Sequence, residues 1–234
     1  ANAGPLAAGF VAARPGAAAV LGEPAPAGGS VARTALAPGL TVGGKKYKVE
    51  IITEDSQSGP RSAQAAADLI NSSNVDLILT TSTPETVNPV SDAAEAAGVP
   101  CVSTIVPWEA WYFGRQANPA APVPFKWTYH FSFGVAQFAS AYTTMWPQVP
   151  TNKVVGVMWP NDADGNAIRG ALGPPLKKAD SPILDPGAYA DGTTDYPAQL
   201  PQVTHSTRHV RPPFPLPPPP VPFREPTAQP RRNP

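Results

Sequence analysis

The chain has 234 residues, 17 Lys+Arg balanced by 17 Asp+Glu, 33 Pro, 19 Gly and a single cysteine, Cys101. One cysteine excludes an intrachain disulfide framework and a cysteine-based zinc cluster. Zero net charge gives no reason to expect a nucleic-acid partner, and no apolar run reaches the roughly 18 residues of a membrane span.

Charge and proline are spread unevenly. Residues 1–44 carry only Arg14, Glu23 and Arg33, and Ala, Gly and Pro fill 28 of those 44 positions. This predicts a poorly ordered leader. Ala7–Leu21 lacks a basic start and is interrupted by Arg14-Pro15-Gly16, which argues against an export signal. Residues 45–200 carry ten basic and fifteen acidic side chains, as an ordinary globular piece does. Residues 201–234 hold five Arg, one Glu and twelve Pro, and predict a disordered or polyproline II tail.

Between the two ends, strand and helix patterns alternate. Residues 48–53 are β-branched and end in Glu54-Asp55-Ser56, which reads as a strand and a polar loop. Ala63, Ala66, Ala67 and Ile70 recur at helical spacing over 61–71. The near-continuous apolar run 75–80 predicts a strand buried on both faces. Ser82 and Thr83 are natural caps, Pro84 suits a first helical turn, and Gly98 stops the helix that follows. Residues 99–103 form a short strand, and an aromatic loop comes next. A helix over 135–146, a strand over 153–159 and a weak helix over 164–179, damaged by Gly173-Pro174-Pro175, complete the pattern. Strands separated by helices predict right-handed crossovers in a parallel, open α/β sheet with helices on both faces.

In such a sheet a ligand binds beyond the carboxyl ends of the strands. The candidates there are Thr80, Thr81, Ser82 and Thr83 after one strand. Ser103 and Thr104 follow the next, with Trp108, Trp111 and Tyr112 as aromatic walls. Asn161, Asp162 and Asp164 follow a later one. Hydroxyls and amides at a helix start hold an anion, aromatic rings cover an apolar part, and carboxylates opposite hold an ammonium. The pattern suits a small zwitterion or organic acid.

Nucleotide, phosphate-loop and nucleophile-elbow motifs are not found. No catalytic residue, metal or cofactor is therefore expected, and the chain does not read as an enzyme. His130, between Tyr129 and Phe131, reads as structural. His205 and His209 have metal-type spacing in proline-rich surroundings with no acidic ligand near. Cys101, in mid-strand, reads as a buried apolar residue.

Residues 41–200 resemble the extracytoplasmic solute-binding proteins of ABC importers, of the type I periplasmic class that includes the leucine/isoleucine/valine-binding proteins. The likeness lies in Val42–Ser58, Ala63–Asn71 with Val75–Thr83, Ser91–Ser103, Phe131–Gly134, Lys153–Gly165 and Thr193–Leu200, in that order and spacing. It implies two α/β lobes closing on a solute. Ser82 and Thr83 would be first-lobe contacts to a ligand carboxylate, and Ser103 and Thr104 would lie on the next contact loop. Trp108 and Trp111 would be ligand-specific walls, and Asp164 would fall near a second-lobe contact. Phe131, Phe133 and Gly134 would form a hinge crossing. The lobes are expected over 45–134 and, incompletely, over 135–200.

The resemblance also implies a small amino acid or organic acid as solute, aromatic acids included. It implies a membrane permease as partner, a periplasmic or cell-surface location, a monomer, and no nucleic acid. Family members begin with a strand, a ligand loop and a helix where this chain has its leader, and they complete both lobes where it has its tail. Frame damage or misassembly at both ends is therefore expected, with poor solubility and weak or absent binding. Two other classes remain: a Rossmann or flavodoxin-like enzyme fragment, and a proline-rich interaction protein using Pro212-Pro213-Phe214-Pro215.

Overall fold

The structure, a computed structural model, describes residues 4–13, 24–118, 120–121, 124–190, 193, 195–196 and 199–206. Its elements in chain order are β1 (Leu6–Ala12), α1 (Pro24–Leu36), β2 (Leu40–Val42), β3 (Lys45–Tyr47), β4 (Val49–Asp55), α2 (Ser62–Asn71), β5 (Leu77–Thr80) and α3 (Pro84–Ala97). They continue with β6 (Cys101–Thr104), α4 (Trp108–Gly114), β7 (Thr128–Phe131), α5 (Val135–Met145), β8 (Val155–Gly156), α6 (Ala163–Lys178), β9 (Ile183–Leu184) and α7 (Gln199–Ser206).

Five strands form one parallel sheet in the order β4-β1-β5-β6-β7. Successive side chains of a strand point to opposite faces. Val11, Ile78 and Cys101 therefore face one way, where they close a core with Ala65, Ala66 and Leu69 of α2 and Val90 and Ala94 of α3. Helix α4 lies on the same face, with Trp111 stacked on His130 at 5.1 Å. On the other face α1 is tied to β4 by Arg33, whose Nη2 donates to the Ile51 carbonyl and to Thr53 Oγ1. An apolar cavity of about 490 Å³ lies between α1 and the sheet, where Gly28, Gly29 and Ala32 meet Phe10, Leu79 and Val102. Further along that face Tyr129 and Phe131 are 61% and 80% exposed.

The sheet corrects the expected leader and the lobe boundary at 45. Residues 6–12 are the strand between β4 and β5, hydrogen-bonded on both sides. Strand β1 lacks the usual β-branched signature because space, not propensity, selects its residues. A Cβ on Gly9 would stand 2.7 Å from Leu69 Cδ1, so α2 packs closely only over glycine. Gly9→Ala is expected to lower stability by on the order of 1 kcal/mol through overpacking, read as a lower urea midpoint at unchanged slope.

Other elements follow the pattern with shifted ends. Helix α3 starts at Pro84 and stops at Gly98, which adopts φ 71. The strand expected over 153–159 is reduced to Val155–Gly156, paired in parallel with β9. The weak helix expected over 164–179 is α6, which runs through Gly173-Pro174-Pro175 to Lys178. Leu172 and Leu176, on either side of them, pack with Val135 and Ala139 of α5, and that burial outweighs the lost amide donors. Helix α4 and strand β7 replace what the sequence presents as an aromatic loop. The expected tail begins later than 201, since α7 runs to Ser206; residues 207–234, with His209 and the PxxP segment, lie outside the described residues.

Candidate functional site

Taken in chain order, the five strands of the sheet run second-first-third-fourth-fifth. Connections leave β1 towards one edge and return past it to β5. The crevice outside the carboxyl ends of β1 and β5 is therefore the switch point of the sheet, where open α/β folds bind ligands.

The chain at that point is Thr80-Thr81-Ser82-Thr83, leading into α3. The Thr81 amide donates to the Val11 carbonyl, which joins the two strand ends. Thr104 Oγ1, at the end of β6, donates to Thr81 Oγ1 at 3.1 Å. Ser82 is 1% exposed and holds φ 125, a left-handed backbone unusual for a side chain with a Cβ. Its Oγ has no hydrogen-bond partner among the described residues. Thr83 is the N-cap of α3 through its backbone; its carbonyl accepts from the amides of Thr86 and Val87, and its hydroxyl makes no cap bond. A buried hydroxyl without a partner beside a 14-residue helix start is the combination that receives an anionic or acceptor group.

A second helix start faces this one. Asp162 caps α6 by accepting from the Gly165 amide at 2.7 Å. Asp164, in its first turn, has a buried Oδ1 with no partner among the described residues. Burial pushes the Asp164 carboxyl up to about 6, and the charges of Asp162 and Glu85 push in the same direction. Glu85 belongs to the first turn of α3, so the two helix starts meet with a raised carboxyl between them. Ala167 of α6 packs against Val87, Val106, Ala110 and Trp111, which closes this contact on its apolar side.

Thr81, Ser82, Thr83, Thr104 and Asp164 thus gather around the ends of β5 and β6 and the two helix starts. Others are placed elsewhere. Ser103 is fully buried and its hydroxyl meets His130 Nδ1 at 2.7 Å. His130 Nε2 donates to the Val106 carbonyl at 2.6 Å, which leaves Nδ1 to accept from Ser103. Burial holds the His130 pKa below its ordinary value, against the Val106 hydrogen bond that favours the charged ring; Arg115 adds to the lowering. Trp111 is 7% exposed with its indole N–H donating to Ser91 Oγ. Ser103, expected on a ligand-contact loop, and Trp111, expected as an aromatic wall, are both placed in the core. Trp108 is 41% exposed and lies over Gly134. Asn161 is exposed and accepts from Asn166 Nδ2, and its amide pairs with Tyr189 across a bridge between chain segments. Phe131 ends β7, Phe133 packs edge-on against Phe138, and Gly134 is the N-cap of α5.

The sequence reading missed Glu85 and Arg115. An acidic residue one position after the Thr83-Pro84 helix start was the available signal for the first. A lone arginine inside Trp108-Glu-Ala-Trp-Tyr-Phe-Gly-Arg115 was the signal for the second. Among the described residues no group of three or more His, Cys, Asp or Glu is placed to hold a metal, and no helix is long and apolar enough to cross a membrane.

An open parallel sheet with polar groups gathered at its switch point, and a second helix start set against them, places the chain in the doubly wound class of α/β protein. The sequence profile described as "Periplasmic binding protein" matches residues 2–207. The chain belongs to that family. The match includes β1 and α1, so the leader expected to lie outside the resemblance is part of it.

No curated protein matches the chain. Among solved structures it is similar to a leucine-binding protein from Thermotoga maritima, with a TM-score of 0.68 at 20% identity over 86% of this chain and 53% of that one. It is also similar to a periplasmic binding protein from Burkholderia mallei, with a TM-score of 0.67 at 16% identity over 86% and 51%. An ABC-transporter solute-binding protein from R. palustris, in complex with 4-hydroxybenzoate, gives a TM-score of 0.67 at 17% identity over 86% and 51%. These likenesses show the fold. The chain spans about half the length of the solved relatives it matches.

Proposed function

We propose that the chain is the solute-binding component of an ABC importer, working outside the cytoplasm with a membrane permease. Its solute is a small amino acid or an organic carboxylate, aromatic acids included. One observation carries the reading: Ser82, fully enclosed, left-handed and without a partner for its hydroxyl, sits at the start of α3 at the switch point of the sheet. A solute carboxylate there receives the Ser82 hydroxyl at the positive end of α3, and Thr81 and Thr104 lie beside it. Relatives described with a leucine-binding name and with 4-hydroxybenzoate supply the two solute types to try first.

The experiment is calorimetric titration with leucine, 4-hydroxybenzoate and 3,4-dihydroxybenzoate, repeated on Ser82→Ala. One acid is expected to bind, and removing one hydrogen bond to a charged group is expected to weaken it by roughly tenfold. Binding unaffected by Ser82→Ala overturns the assigned site; no binding of any small acid overturns the function.

A further inference from the structure

Residues 131–135 carry the chain out of the sheet, from β7 into α5. Two consecutive residues of the first turn of α4 hold this segment. The Trp108 amide donates to the Phe133 carbonyl at 3.0 Å. The Glu109 carboxylate accepts the Val135 amide through both oxygens, at 3.0 and 3.1 Å. Gly134 lies against the Trp108 indole, and a Cβ there would run into Nε1 and Cδ1 of the ring and crowd Glu109 Oε1.

The physical logic has two parts. The first amides of a helix have no partners inside it, and its start attracts negative charge. Helix α5 has no acidic residue in its own first turn. Gln137 Oε1 answers the Gly134 amide, but the anion comes from α4, on the other side of the segment. The indole, meanwhile, stops the segment from moving closer to α4, while the carboxylate stops it from moving away. A stop and a tether on the same helix turn fix the distance and direction of a joint.

We propose that Glu109 is a positioning residue: together with Trp108 it sets the angle at which α5, and the assembly built on it, leave the sheet. This rests on the reading of 131–135 as the crossing between two lobes. The solute site depends on that angle, because α6 brings Asp164 to the start of α3 while packed against α5.

The test measures the angle without any solute. Spin labels are placed at Ser72→Cys, after α2, and Ser140→Cys, on α5; both positions are exposed. Cys101 is fully buried and does not compete for label. Double electron–electron resonance on the parent chain is expected to give one narrow distance. Glu109→Ala is expected to broaden or shift it, and Glu109→Gln, which keeps one acceptor oxygen, to do so less. Gly134→Ala is expected to shift it, and adding Trp108→Ala to bring its mean back towards the parent while broadening it, which a merely unfolding variant would not do. Parent-like distances in both Glu109→Ala and Gly134→Ala overturn the proposal, as does loss of helical circular dichroism that is equal in Glu109→Ala and Glu109→Gln. Solute titration is read separately. A chain with the expected distances that binds none of the acids refutes the function and leaves the clasp standing.

Discussion

Arg115→Ala is expected to lower stability by about 2–5 kcal/mol, the scale for deleting a large buried side chain with its contacts. The Arg115 side chain is completely enclosed. Its Nε donates to Asp92 Oδ1 at 2.6 Å and its Nη1 to Thr128 Oγ1 at 2.9 Å. The guanidinium carbon stands 3.8 Å from the centre of the Phe125 ring and 4.7 Å from that of Trp111. Thr128 Oγ1 in turn donates to Glu95, which also accepts the amides of Lys126 and Trp127. Burial works against the Glu95 charge, but those amides and the hydroxyl hold its pKa below the ordinary value. One arginine thus ties α3, α4 and β7 together. Asp92 is half exposed, so the loss comes from the contacts of the cation and the cavity it leaves, and little from stranding the carboxylate.

Arg115→Lys separates charge from shape. Lysine keeps the positive charge but not the planar fork that lies over the two rings, so most of the loss is expected to remain. A lysine variant as stable as the parent would sink the stacking account. Cys101 offers a second readout. Burial raises its thiol to about 11, partly offset by Ser91 and Arg115, so it reacts only when the region opens. Arg115→Ala is expected to speed its modification by a thiol reagent under conditions where the chain is still folded.

Legibility in the sequence followed the physics of each element. Helices α2 and α3 were legible as elements: Pro84 and Gly98 mark both ends of α3, whereas α2 turns Ser62, Ala65, Ala66 and Leu69 inward and leaves Ala63 of the expected stripe exposed. Strand β5 was legible from its apolar run, but it is not buried on both faces as expected: Ile78 and Thr80 are buried, and Leu79 on the other face is 40% exposed. Strand β1 was not, although it lies inside the same sheet. Close packing of α2 selects Gly9, and small alanines give no β signal. Helix α4 is short and aromatic, and its stability comes from rings of other elements: Trp111 against Phe125 and His130. Nothing local announces it.

The candidate site was half legible for the same reason. Ser82, Thr83 and Thr104 follow strands, so their placement needs only local order. Whether Ser103 faces the crevice or the core depends on which side of β6 it occupies. Val102 faces α1, so Ser103 faces α3 and reaches His130. That parity needs the position of the helices, which no stretch around residue 103 contains. Asp164 is clearer in retrospect: burial and Asp162 raise its carboxyl, Glu85 adds to them from 79 positions away in the chain, and only the packing of α6 against α3 brings the two helix starts into one field.

The pH dependence of Asp164 is the prediction that separates the two kinds of solute. A carboxyl raised from 3.8 to about 6 by folding is more stable protonated. Its contribution is therefore neutral at low pH, turns unfavourable as pH rises from about 4, and levels off above about 6. The full shift corresponds to about 3 kcal/mol, and partial exposure of the group reduces that to about 1–2 kcal/mol. Asp164→Asn removes the charge and keeps the shape. The variant is expected to match the parent near pH 4 and to melt higher above pH 6; equal melts at both pH values would remove the like-charge account. A solute ammonium beside Asp164 favours the ionised carboxyl, so an amino acid such as leucine should bind more tightly as pH rises towards 7. An aromatic carboxylate brings a further negative charge to Asp162, Asp164 and Glu85, so 4-hydroxybenzoate should bind less tightly over the same interval. In Asp164→Asn both slopes should flatten. The sign of the slope in the parent then identifies which end of the solute faces α6, and with it the class of solute the cleft accepts.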